Sequence, residues 1–99
     1  MGKKLSPEQN ELYKRTDEVL HYIWDPIGVS DSPYARDEYW GYLPRVFGML
    51  VKNESKETIV NYLLAVESEQ MGLSPKKENA EHVVEILKEY KEKILGESR

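Results

Sequence analysis

An all-α fold of four principal helices, packed as a small antiparallel or irregular bundle, follows from three features of the sequence. Apolar residues recur at helical spacing in four separate segments. Three of these segments open on a Ser-Pro pair and the fourth on Ser55, both of which are helix-start signals. No stretch alternates apolar and polar residues in the manner of a half-buried strand, and no hairpin signal appears. With 99 residues the chain supports one core, so residues 1–99 are read as a single helical domain, with flexible ends at 1–5 and 96–99.

The first helix is expected over residues 7–24. Ser6 caps it, Pro7 takes the first helical position where its missing N–H costs nothing, and Gln9 can complete a capping box. Its inward stripe is Leu12, Val19, Leu20 and Ile23 with Thr16 between, which leaves Lys14, Asp17, Glu18 and His21 facing water. Asp25-Pro26-Ile27-Gly28 then fits a reverse turn position by position: Asp can bond back to the backbone, Pro presets φ, and Gly closes the turn. Trp24, Ile27 and Val29 beside it are too apolar to leave in water, so the loop is expected to fold back on the core.

A second helix is expected from Pro33 or Ala35 to Val51, kinked or split near Pro44 because proline removes a backbone bond and clashes with the preceding turn. The third should span residues 56–71, capped by Ser55 and stopped by Gly72 in a left-handed conformation. It carries two apolar faces, Ile59, Tyr62, Leu63 and Val66 on one and Val60, Leu64 and Met71 on the other, so it is either central or shared with another chain. Ser74-Pro75 opens the fourth, which runs to Leu95 and buries Ala80, Val83, Val84, Leu87, Tyr90 and Ile94. Glu81, Glu85, Glu89, Lys93 and His82 belong to its exposed side.

Trp24-Asp25-Pro26-Ile27-Gly28, then Asp37-Glu38-Tyr39 with Tyr42, and Met71-Gly72-Leu73 at a helix end, resemble a group of short bacterial proteins, the YugE-like domain of unknown function. The resemblance covers residues 19–73 and implies a helical fold without an assigned activity. The family carries an acidic residue where this chain has Trp40, so no role of that acid passes to this chain.

Charge and composition narrow the function classes. Fourteen Lys and Arg against eighteen Asp and Glu give a net charge of −4, and the basic residues do not cluster, which argues against nucleic acid. The absence of cysteine excludes disulfides, thiolate metal sites and cysteine nucleophiles. No apolar run approaches the roughly 20 residues needed to span a bilayer, so neither membrane insertion nor secretion is expected, and the cytoplasm is the expected compartment.

Three constellations could carry chemistry. Asp17, His21 and Asp25 lie one helical turn apart and could orient a base or hold a metal, but read more simply as surface pairs. Asp25, Asp31, Asp37 and Glu38 could supply oxygen ligands to Mg²⁺ or Ca²⁺, yet as turn and first-turn residues they need no metal. The third is the aromatic set Tyr34, Tyr39, Trp40, Tyr42 and Phe47, more than one buried stripe accepts. Tyr39 and Phe47 share a core face with Leu43, whereas Trp40 and Tyr42 point elsewhere, either as a partner patch or as a cover for the kink.

No phosphate loop, nucleophile elbow or metalloprotease helix is present, and no catalytic residue, metal or cofactor is assigned. The leading expectation is therefore a non-enzymatic interaction module that binds a protein partner or a second copy of itself. Its expected contact residues are Trp40, Tyr42, Tyr34, Val60, Leu64 and Met71, with Trp24, Asp25, Pro26 and Gly28 as a structural loop. A small metal- or ligand-binding protein using the carboxylates of the 25–37 loop is the alternative.

Overall fold

Ser6 begins the chain's first helix as the sequence suggests, its Oγ accepting from the Gln9 N–H while the Gln9 side chain accepts from the Ser6 N–H, both at 3.1 Å. The computed structural model describes residues 5–96; the expected flexible ends, 1–5 and 96–99, lie outside them except for Leu5 and Gly96. Helix α1 spans Pro7–Val19 and passes without a break into a π-helical turn, Leu20–Trp24, closed by the Asp25 N–H on the Leu20 carbonyl at 3.1 Å. After a loop come a 3₁₀ turn, Pro33–Ala35, and a run of single turns to helix α2, Leu43–Val51. Helix α3, Lys56–Ala65, also passes into a π-helical turn, Val66–Gln70, and helix α4 covers Lys77–Leu95. The described residues contain no strand.

Helix α4 runs through the middle of the packing, against α1 and α3 most extensively and against α2 and the first π-turn. One buried cluster takes Leu12, Leu20 and Trp24 from the first helix, Val46 and Leu50 from α2, Ile59 and Leu63 from α3, and Val83, Val84 and Leu87 from α4. The radius of gyration, 13.2 Å, is close to the about 13 Å of a compact domain of this length.

The expected split near Pro44 is present: Pro44 lies in the first turn of α2, where its missing N–H interrupts nothing, and residues 36–42 form i→i+3 turns. Five details differ from the sequence reading, the first being Ile27, expected against the core but 44% exposed. Ile23 is 40% exposed and Trp24 takes its place in the core, because a turn closed i→i+5 takes more residues per revolution and brings the later side chain inward. His21 is buried rather than solvated, edge-on to the Tyr22 ring and tilted toward Tyr39.

Helix α4 starts at Lys77, not at Ser74, with Ser74-Pro75 in an irregular segment whose Lys76 N–H is held by the Glu67 carboxylate. The second face of α3 is covered by its own chain: Val60 is 4% exposed, and Leu64 and Met71 are half-buried against the core. Packing within the chain, chiefly against α4, covers that face in part. Lys91, near the end of α4, is buried and reaches Asn53, while the Lys88 ammonium donates to the Glu54 carbonyl at 2.8 Å, so α4 also braces the α2–α3 connection.

Truncation should therefore grade with burial along α3. Leu63→Ala is expected to cost about 2–5 kcal/mol and Leu64→Ala distinctly less, measured by urea denaturation. Equal losses would show that the two faces are covered alike.

Candidate functional site

Both π-turns contribute side chains to the lining of one cleft. Trp24, buried at 1% exposure at the end of the first, donates its indole Nε1–H to Glu67 Oε2 at 2.7 Å. Glu67 comes from the second π-turn and is itself only 2% exposed. Its other oxygen accepts from the Lys76 backbone N–H at 2.8 Å, and its own carbonyl accepts from Leu73 N–H at the same distance. Asn79, in the first turn of α4, donates to the Trp24 carbonyl at 3.2 Å. Between these groups lies an opening of about 520 Å³, walled by Tyr22, Ile23, Pro26 and Leu73 beside Trp24 and Glu67. The size falls within the range of ligand pockets.

The loop that forms the near lip is rigid for a nameable reason. Asp25 sits in the left-handed region at φ 31°, ψ 60°, and its carboxylate gathers the N–H groups of Gly28, Val29 and Ser30 at 2.8–3.1 Å together with the Tyr39 hydroxyl at 2.7 Å. Tyr39 is buried, and its oxygen accepts in turn from the Ile27 N–H at 3.1 Å. Gly28, at φ +81°, closes the turn back to the Asp25 carbonyl at 3.2 Å. The expected loop residues Trp24, Asp25, Pro26 and Gly28 are thus brought together, with Tyr39 as an additional clamp that spacing did not single out. Burial alone would raise the Asp25 carboxyl, but the hydrogen bonds from Tyr39, Val29 and Ser30 outweigh it and hold the group below the usual carboxylate range. Burial and the Asp25 partner both push the Tyr39 phenol well above its ordinary value.

Beside the cleft, Arg36 grips Asp17 with two parallel hydrogen bonds of 3.0 Å and lays its guanidinium over the Tyr22 ring, 5.4 Å from its centre. The Trp40 indole donates to Asp17 Oδ1 at 3.1 Å, so Trp40 and Tyr22 flank a common ion pair. Both remain largely in water, Trp40 at 53% and Tyr22 at 57% exposure. Tyr34 on the 3₁₀ turn is almost fully exposed. Tyr42 is half-buried with its ring edge-on to Trp24 at 6.2 Å, which makes it part of the packing around the loop. Ile27, Ile23 and Leu73 add exposed apolar surface around the cleft.

The three sequence constellations fare differently. Asp17, His21 and Asp25 are not brought together: Asp17 serves Arg36 and Trp40, Asp25 serves its own loop, and His21 turns inward with Nδ1 lacking a hydrogen-bond partner among the described residues. Asp31, Asp37 and Glu38 are exposed, and among the described residues no three His, Cys, Asp or Glu side chains are placed to hold a metal. Of the expected contact residues, Trp40 and Tyr34 are exposed, Tyr42, Leu64 and Met71 are half-buried and Val60 is buried; Tyr22, Ile23, Ile27 and Leu73 are further exposed apolar residues. Glu67 was legible in principle, since it stands four residues after Leu63 and seven after Val60, on an apolar face where a carboxylate needs an explanation.

No family model, no curated protein and no solved structure matches the chain. The YugE-like resemblance therefore rests on the residues quoted for it.

Removing the Tyr39 hydroxyl tests the loop. Tyr39→Phe is expected to lower stability by about 1–3 kcal/mol at neutral pH by stranding the Ile27 N–H and one Asp25 contact. A carboxyl depressed in the folded state contributes stability above about pH 4 that is lost as pH falls through its folded value; a raised phenol contributes below about pH 10 and loses it as pH rises. Urea midpoints across pH should thus show the variant losing less of its stability than wild type both above pH ~10 and below pH ~4. Profiles that superimpose after a constant offset would contradict this account.

Proposed function

We propose that the chain is a non-enzymatic protein-docking module whose contact face is the rim of the Trp24–Glu67 cleft extended through Tyr22 to Trp40. The observation that supports it most is the concentration of exposed apolar and aromatic residues: Tyr22, Ile23 and Leu73 in the cleft wall, Ile27 next in sequence to the Pro26 of that wall, and Trp40 joined to Tyr22 across the Asp17–Arg36 pair. Scattered exposed apolar side chains are ordinary on a small protein, whereas a contiguous set rimmed by polar groups is what interfaces display. Trp, Tyr and Arg are the residues that most often carry binding energy, and Trp40, Tyr22 and Arg36 already constrain one another, so little side-chain entropy is left to lose on docking. The net charge of −4 disfavours a second copy and favours a basic partner. No helix among the described residues is long and apolar enough to cross a membrane.

The test is retention of partners by immobilised protein, with Trp40→Ala and Ile27→Asp as variants at exposed positions whose effect on folding should stay within about 0.5 kcal/mol. Proteins held by the wild type are expected to be lost, about tenfold or more in affinity, from both variants. A wild type that sediments as a monomer and retains nothing sensitive to either substitution would remove the docking reading.

A further inference from the structure

Glu67 is a carboxylate with almost no exposed surface, yet it forms part of the wall of an open cleft. Its two oxygens each take one neutral N–H donor, from the Trp24 indole and the Lys76 backbone. A carboxylate offers about four acceptor positions, so roughly half its capacity remains. Among the described residues no cation forms an ion pair with it; the exposed Lys76 side chain borders the same cleft and makes none. Carboxylates that are buried without a counter-charge are costly, and two neutral donors offset only part of that cost. The cleft walls are Tyr22, Ile23, Trp24, Pro26 and Leu73, which suit an aliphatic stem ending in a charge and place two aromatic rings near the path of a cation.

We infer that the cleft receives a cationic side chain, a lysine ammonium or an arginine guanidinium, from a basic protein partner and seats it against the Glu67 carboxylate. This rests on the docking reading and names the chemistry of what docks. The apolar rim supplies contact area, the acidic chain steers the partner in, and Glu67 selects for the positive charge. Asp25 borders the same opening, but its oxygens are occupied by the loop N–H groups and the Tyr39 hydroxyl, so Glu67 is the acceptor that remains available.

The Trp24 indole N–H, hydrogen-bonded to Glu67, is a built-in reporter. Its nuclear magnetic resonance signal is to be followed in ¹⁵N-labelled protein, with the Trp40 indole identified by Trp40→Ala. The probes are the Nα-acetyl methylamides of lysine, of arginine and of the neutral norleucine. A saturable shift of the Trp24 signal is expected with lysine or arginine, with an affinity about tenfold or more above norleucine and weakening as salt is added.

Glu67→Gln, checked for folding by circular dichroism, is expected to abolish it. Should that variant not fold, Ile23→Lys at the exposed rim places a competing ammonium at the mouth and is expected to weaken the lysine probe about tenfold. Norleucine binding as well as lysine, or no saturable shift with any probe, would overturn the inference. So would a folded Glu67→Gln variant that binds the lysine probe as tightly as wild type. If probe binding fails while partners are still lost on Trp40→Ala and Ile27→Asp, the cation site is wrong and the docking face stands.

Discussion

A single buried hydrogen bond, from the Trp24 indole to the Glu67 carboxylate, fixes the ends of two helices against each other. It spans 43 residues of sequence and joins the last turn of the first helix to the last turn of the third. The same carboxylate fixes the Lys76 N–H and so decides where α4 begins, while Asn79 of α4 returns a bond to the Trp24 carbonyl. Each member depends on the others: without Trp24, Glu67 keeps a buried oxygen unsatisfied, and without Glu67 both the indole and the Lys76 amide lose their acceptor. The cost of stranding such groups exceeds the modest net gain of making them, so the network holds position more strongly than it stabilises.

Both π-turns lie at this junction, and their geometry is what makes it possible. An uninterrupted α-helix from Leu20 would set both Ile23 and Trp24 beside the inward stripe; the wider turn rotates Ile23 outward and keeps Trp24 in the core. In the third helix the corresponding widening begins at Val66 and brings Glu67 against the indole. Single π-turns within α-helices often coincide with functional positions, and here two of them converge on one opening. The left-handed Asp25 that follows is tolerated because its carboxylate and Tyr39 over-determine the loop.

Much of the scaffold was legible in the sequence because it is written in local chemistry. Ser6 and Ser55 cap the helices they precede, Gly72 and Gly96 end helices in left-handed conformations, Asp25 and Gly28 build the turn, and Pro44 marks the break before α2. What was not legible arises from contacts distant in sequence. His21 is buried, although helical spacing put it in water. Val60 is sealed because its helix packs against α4, a fact no single-helix projection contains. The start of α4 lies at Lys77 rather than at Ser74-Pro75, next to Lys76, whose N–H is held by Glu67 from nine residues upstream. Of the candidate site, Trp40 and Tyr34 were visible as surplus aromatics; Tyr22, Ile23 and Leu73 were not, since the period that assigns faces fails where a π-turn intervenes.

The far side of the cleft is made by residues 72–76, which carry no helical structure and join α3 to α4. Every other wall is anchored in a helix end or in the clamped Asp25 turn. Both ends of that strip are tied to Glu67, through the Leu73 and Lys76 N–H groups, so one residue sets the width of the aperture that it also lines.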